Sequence, residues 1–194
     1  MPYRRMMATI LNEGYLSFGF ASRHITRLPY DKQDADCHVI TAPFSDSLSK
    51  WPLMDPMFEA HISSPEGEIL GPLGGRERSV AEDPIVVNPG INRNGAPCYP
   101  DAYLLYLTKN VFRFSCPIRS EFGCESKEGP RSWVHLNPEG DDDDAEAEYD
   151  STGSYVVDCV TQSALQFWAA PNRDQRRRTA SRVSTLSPPM RFCA

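Results

Sequence analysis

The sequence predicts a mainly β protein, a sandwich or barrel of short antiparallel strands with long Pro- and Gly-rich loops. Roughly nine to eleven short apolar runs alternate with turn-forming residues, as expected of such folds. The 17 prolines are spread along the chain. Each withdraws its N–H from any ladder or helix, so the spacing excludes a long helix before residue 150.

The runs justify themselves in order. Met7 to Leu11 and Tyr15 to Ala21 flank Asn12-Glu13-Gly14, and Leu16, Phe18 and Phe20 alternate with Tyr15, Ser17 and Gly19; that reads as two strands about a turn. Cys37 to Thr41 is β-branched and ends before Pro43. Glu59 to Ser63 and Glu68 to Leu70 flank Ser64-Pro65-Glu66-Gly67, a turn by composition and order. Gly71-Pro72-Leu73-Gly74-Gly75 reads as another turn, because no Lys-Ser/Thr follows to make it a phosphate loop. Ile85 to Val87 lies between Pro84 and Pro89. Ala102 to Leu107, Val111 to Cys116 and Ser132 to Leu136 carry the β-branched and aromatic bulk that suits a pleated surface. Tyr155 to Thr161 and Ala164 to Ala170 close the series, read as strands with a single C-terminal helix near 155–170 as the alternative. No fixed-period repeat is visible, which speaks against a propeller or solenoid.

With 194 residues the chain is long enough for a core without a metal or a disulfide framework. Gly and Pro make up 29 residues, short of a disordered or collagen-like share. No run approaches the roughly 18 apolar residues of a membrane-spanning helix. The organisation expected is one β-rich domain over residues 1–170 and a basic extended arm over 171–194.

Six cysteines allow three disulfides, but they are scattered, form no Cys-x-x-Cys pair and accompany no secretory signal. The expectation is therefore an intracellular, reduced, cytoplasmic protein, with a mitochondrial or virion-associated location left open. Cys116, Cys124 and His135 fail zinc spacing, since a structural site opens with two ligands two to four residues apart. No cofactor or metal is expected.

Charge is the most informative pattern. The net charge of −6 divides into +3 over residues 1–30, −14 over 31–170 and +5 over 171–194. The acid is concentrated in residues 139–150, where Asp141, Asp142, Asp143, Asp144, Glu146 and Glu148 form a strip; its order fails the calcium-loop pattern for want of a glycine at the sixth position. The base is concentrated in Arg173, Arg176, Arg177, Arg178 and Arg182, with Thr179 and Ser181 at a spacing that suits a basophilic kinase. Sixteen arginines against four lysines favour fork-like contacts to carboxylate or phosphate.

These features read as a non-enzymatic structural or accessory subunit of a larger protein or nucleoprotein assembly, such as a capsid-like shell or a ribonucleoprotein or organellar complex. Its partners would be other subunits or copies of itself, with RNA or DNA phosphates as a further target of the arm. The alternative is a small enzyme or ligand-binding β-barrel whose site gathers distant residues. Its candidates are Glu59 with His61, then His135, Tyr103, Tyr106 and Trp133. His38, beside Cys37, is the other histidine with a chemically suggestive neighbour.

Overall fold

A computed structural model describes residues 2–31, 33, 34, 36–93, 95–118, 120–123, 131–140 and 155–169. Its centre is an open, eight-stranded mixed sheet. In chain order the strands are β1 (Ser22–Leu28), β2 (His38–Pro43), β3 (Met54–Asp55), β4 (Ala60–Ser63), β5 (Val86–Val87), β8 (Arg113–Pro117), β9 (Arg131–Leu136) and β10 (Tyr155–Thr161), with β6 (Asn92–Arg93) and β7 (Ala96–Pro97) as a separate ribbon. The spatial order is β10-β9-β8-β1-β2-β3-β4-β5. The sheet does not close on itself, so of the expected sandwich or barrel the barrel is not formed, and with it falls the barrel form of the ligand-binding alternative. Every pair is antiparallel except β9 and β10, which run parallel. A parallel pair needs a connection of about a dozen residues or more, and the segment 137–154 supplies it.

Among the described residues, four helices complete the fold: α1 (Pro2–Ser17), α2 (Pro72–Val80), α3 (Pro100–Lys109) and α4 (Ala164–Phe167). Three of them begin at a proline. At the first helical position a proline loses nothing, since that N–H has no intrahelical partner, and its fixed φ is already helical. The same residues that argued against long helices therefore start them. The two strands expected over residues 7–21 are instead α1. Ala8, Asn12 and Leu16 are its buried stripe, at helical spacing. Its end is set by Gly19 at φ 84, where Phe20 N donates to Tyr15 O and Gly19 N to Leu16 O. This is a Schellman stop, completed by the Tyr15–Phe20 ring contact at 6.0 Å. The run 102–107 is likewise helical, with Tyr103 and Leu107 on the buried face of α3. In the last run only 155–161 is strand. The residues after it form the single turn α4, where the Ser163 side chain accepts from Gln166 N.

Register assigns the two faces of the sheet. Arg23, Ile25 and Arg27 on β1 share a face with Ala42, Ile40 and His38 on β2, and Phe114 on β8 stands opposite Arg27. This face holds the apolar core, in which Ile40, Leu53, Ile62, Tyr103, Leu107 and Phe114 are buried together. α3 packs there through Tyr103, and Trp168, just past α4, packs against Phe114 at 5.7 Å. The opposite face carries Ser22, His24, Thr41, Ser115 and His135 and is covered by α1, whose Ala8 carbonyl accepts from Thr41 Oγ1 at 2.9 Å.

α2 begins against the sheet because Gly71 has no side chain. A Cβ there would overlap the backbone carbonyl oxygen of Trp51. Gly71→Ala is expected to cost about 1–3 kcal/mol, read as a lower urea midpoint with an unchanged slope.

Candidate functional site

The sheet brings residues of catalytic type together at one place on its core face. β1 contributes Arg27, β2 His38, β3 Asp55 and α3 Tyr103. Asp55 is the hub. Its Oδ2 lies 2.5 Å from His38 Nε2 and accepts from Tyr103 OH at 3.1 Å, while Oδ1 accepts from the backbone N–H of Met57 and Phe58 at 3.1 and 3.4 Å. Four donors use the capacity of the carboxylate. Arg27 Nη2 donates to Leu107 O at 3.0 Å, placing a cation at the carbonyl end of α3, where the helix dipole favours it. Rings line the cluster: His38 lies 5.1 Å from Tyr106 and 5.8 Å from Phe58, edge to face.

Burial sets the electrostatics. The side chains of His38 and Asp55 have no exposure, and Arg27 and Tyr103 are also at 0%. Desolvation pushes the Arg27 guanidinium down to about 10, opposed by Tyr103, Asp55 and Tyr106 nearby; it remains a cation at neutral pH. Desolvation and the neighbouring Asp55 push the Tyr103 phenol well above its ordinary range, with Arg27 opposing, so the hydroxyl stays a donor. A His–carboxylate pair can orient a general base, but a base needs a substrate or a nucleophile within hydrogen-bond reach. Among the described residues, no serine, threonine or cysteine hydrogen-bonds to His38. The arrangement is suited to clamping β1, β2, β3 and α3 to one another.

A second cluster clasps the C-terminal end of the described chain to the sheet. Arg23 Nη1 donates to Phe167 O at 2.8 Å, its guanidinium lies 3.9 Å from the Trp51 ring centroid, and Trp51 Nε1 donates to Trp168 O at 3.1 Å. Cys116 lies beside Arg23. Burial raises its thiol pKa more than that cation lowers it. Cys116 should therefore alkylate at least about tenfold more slowly than the half-buried Cys37 and Cys98 in the folded protein, and equally with them in urea, as mass spectrometry of labelled peptides would show.

The residues of the enzyme alternative are not gathered. Tyr103 and Tyr106 lie beside His38 on the core face, whereas Trp133 and His135 lie on the other, where Trp133 packs edge-on to His24 at 5.5 Å. Glu59 precedes β4 at φ 50, outside the strand, so it does not share a strand face with His61. Arg27 and Asp55 were missed. An arginine between Ile25 and Leu28 in a strand is the signal that could have found the first. Asp55, in a two-residue strand, leaves none.

The arm residues Arg173, Arg176, Arg177, Arg178 and Arg182 and the strip residues Asp141, Asp142, Asp143, Asp144, Glu146 and Glu148 lie outside the described residues. Among the described residues, no group of three or more His, Cys, Asp or Glu could hold a metal, and no helix is long and apolar enough to cross a membrane. No protein-family model, no curated protein and no solved structure matches the chain.

The surface carries the remaining candidate. On α1 the stripe opposite Ala8, Asn12 and Leu16 presents Met6 and Ile10, 49% and 60% exposed, and beyond its end stand Phe18 and Phe20 at 82% and 49%. Two large apolar side chains one turn apart on the helix, with two more just past its end, are the kind of exposed apolar surface that marks interaction sites.

Proposed function

We propose that the chain is a non-enzymatic structural subunit of a larger protein assembly. The observation that carries this reading is the apolar outer stripe of α1, which the fold does not use: the inner stripe already docks the helix on the sheet, yet Met6 and Ile10, and Phe18 just past the helix end, stay in solvent. The buried Arg27–His38–Asp55–Tyr103 cluster supports it from the other side, because the residue types that would serve catalysis are spent on holding strands together. The arm at Arg173, Arg176, Arg177, Arg178 and Arg182 and the acidic strip at 139–150 enter as complementary charges, able to join one copy to the next head to tail.

Sedimentation of the full chain tests this at low and high salt. Species larger than a dimer are expected at low salt, reduced at high salt and reduced again by replacing the four arginines Arg176, Arg177, Arg178 and Arg182 with Gln. A monomer at every salt concentration would sink the reading. Growth only on adding RNA, with affinity falling linearly in log salt, would replace the protein partner by a nucleic acid.

A further inference from the structure

Resting on that reading, we infer that the occupant of the α1 face is α1 of a second copy, the two helices crossing antiparallel about a twofold axis near Ile10. A twofold contact must be self-complementary, and this stripe is. In an antiparallel pair centred on Ile10, each Met6 lies over the partner's Gly14 and Ile10 meets its own counterpart. Gly14 supplies the hole, since a Cβ placed there would find no atom within 4 Å. Phe18 then reaches the first turn of the partner helix. Antiparallel helices also oppose their dipoles favourably.

The area sets the strength. The exposed fractions of Met6, Ile10 and Phe18 correspond to roughly 400 Å² per copy and about 800 Å² for the pair, the size of a weak, transient contact. The expected association is thus a weak one, driven by apolar burial and insensitive to salt. Salt separates it from contacts made by the arm.

Sedimentation equilibrium over a wide range of protein concentration reads it. The wild-type chain and its four-arginine variant are expected to dimerise at low and high salt alike. Ile10→Glu should weaken the dimer at least about a hundredfold, because two carboxylates would meet on the axis. Gly14→Leu is the decisive variant: it fills the hole that receives the partner's Met6 while improving helix propensity, so the fold should be no less stable and the dimer lost. A dimer that survives Gly14→Leu and Ile10→Glu overturns the proposal. So does a wild-type monomer at high salt; if larger, salt-sensitive species still form at low salt, only the α1 pairing falls and the subunit reading stands.

The interior carries a second inference on separate grounds: we infer that ordered water completes the Arg27 cluster. Among the described residues Arg27 Nε and Nη1, His38 Nδ1 and Asn110 Oδ1 are buried without a hydrogen-bond partner. Arg27 stands opposite His38 across β1 and β2, and its Nη2 shares the Leu107 carbonyl with the backbone N–H of Asn110. Arg27 Nε and Nη1 donate and Asn110 Oδ1 accepts, and water, which does both, can satisfy all three and His38 Nδ1 in whichever role it takes. An anion cannot, since it has no proton for Asn110 Oδ1. A crystal of the full chain soaked in bromide decides it. Water density within hydrogen-bond distance of Arg27 and of Asn110 Oδ1 or His38 Nδ1, without an anomalous peak, is expected; empty density or a bromide peak overturns the inference.

Discussion

Asp55→Ala is expected to remove about 3–5 kcal/mol of folding stability, because it deletes the carboxylate that balances Arg27 and strands a cation inside the core. His38 Nε2 and Tyr103 OH lose their acceptor as well, and the backbone N–H groups of Met57 and Phe58 lose theirs. A loss of this size approaches the whole margin of an ordinary domain, roughly 5–15 kcal/mol, so graded variants are needed. Tyr103→Phe removes one hydrogen bond of the four and should cost about 1 kcal/mol. Asp55→Asn keeps the shape, loses the charge and should fall between. Urea unfolding orders the three. Equal, small losses would show that the cluster does not hold the strands.

The second large effect is acid sensitivity at His135. Burial, reinforced by the Arg113 cation on the neighbouring strand, pushes its imidazole down to about 4, against an ordinary value of 6.5. The unfolded chain therefore takes the proton first as pH falls. Above pH 6.5 the group is neutral in both states and contributes no pH dependence; between 6.5 and 4 stability drains away, by of the order of 3 kcal/mol at the lower limit. His135→Asn should flatten that limb of the stability–pH curve, with the difference between wild type and variant isolating His135 from other titrating groups. Parallel curves would contradict the assignment.

Strands were legible where their side chains are β-branched or aromatic. His38–Pro43, Arg113–Pro117, Arg131–Leu136 and Tyr155–Thr161 coincide with runs chosen on that ground, and Ala60–Ser63 with one chosen for the turn that follows it. Helices were not, for a physical reason: a proline reads as a breaker, yet at the first helical position it is a starter, as Pro72 and Pro100 show. Asn12-Glu13-Gly14 misled in the same way, since Gly14 lies within α1 and the turn comes at Gly19. Strand β1 escaped notice because Arg23, His24 and Arg27 look like surface residues, whereas two of them are buried and the third stacks on Trp51. The cluster around Asp55 was illegible because its four members come from four elements and meet only through sheet register. The outer face of α1 was hidden by reading Phe18 and Phe20 as strand alternation.

Sedimentation velocity on wild type, Tyr103→Phe and Ile10→Glu at matched concentration and high salt tests most directly whether the protein works through its surface or its interior. Wild type and Tyr103→Phe should both sediment as dimers, and Ile10→Glu as a folded monomer. A Tyr103→Phe chain that stays folded but no longer associates, or an Ile10→Glu chain that associates unchanged, would place the working site somewhere other than α1.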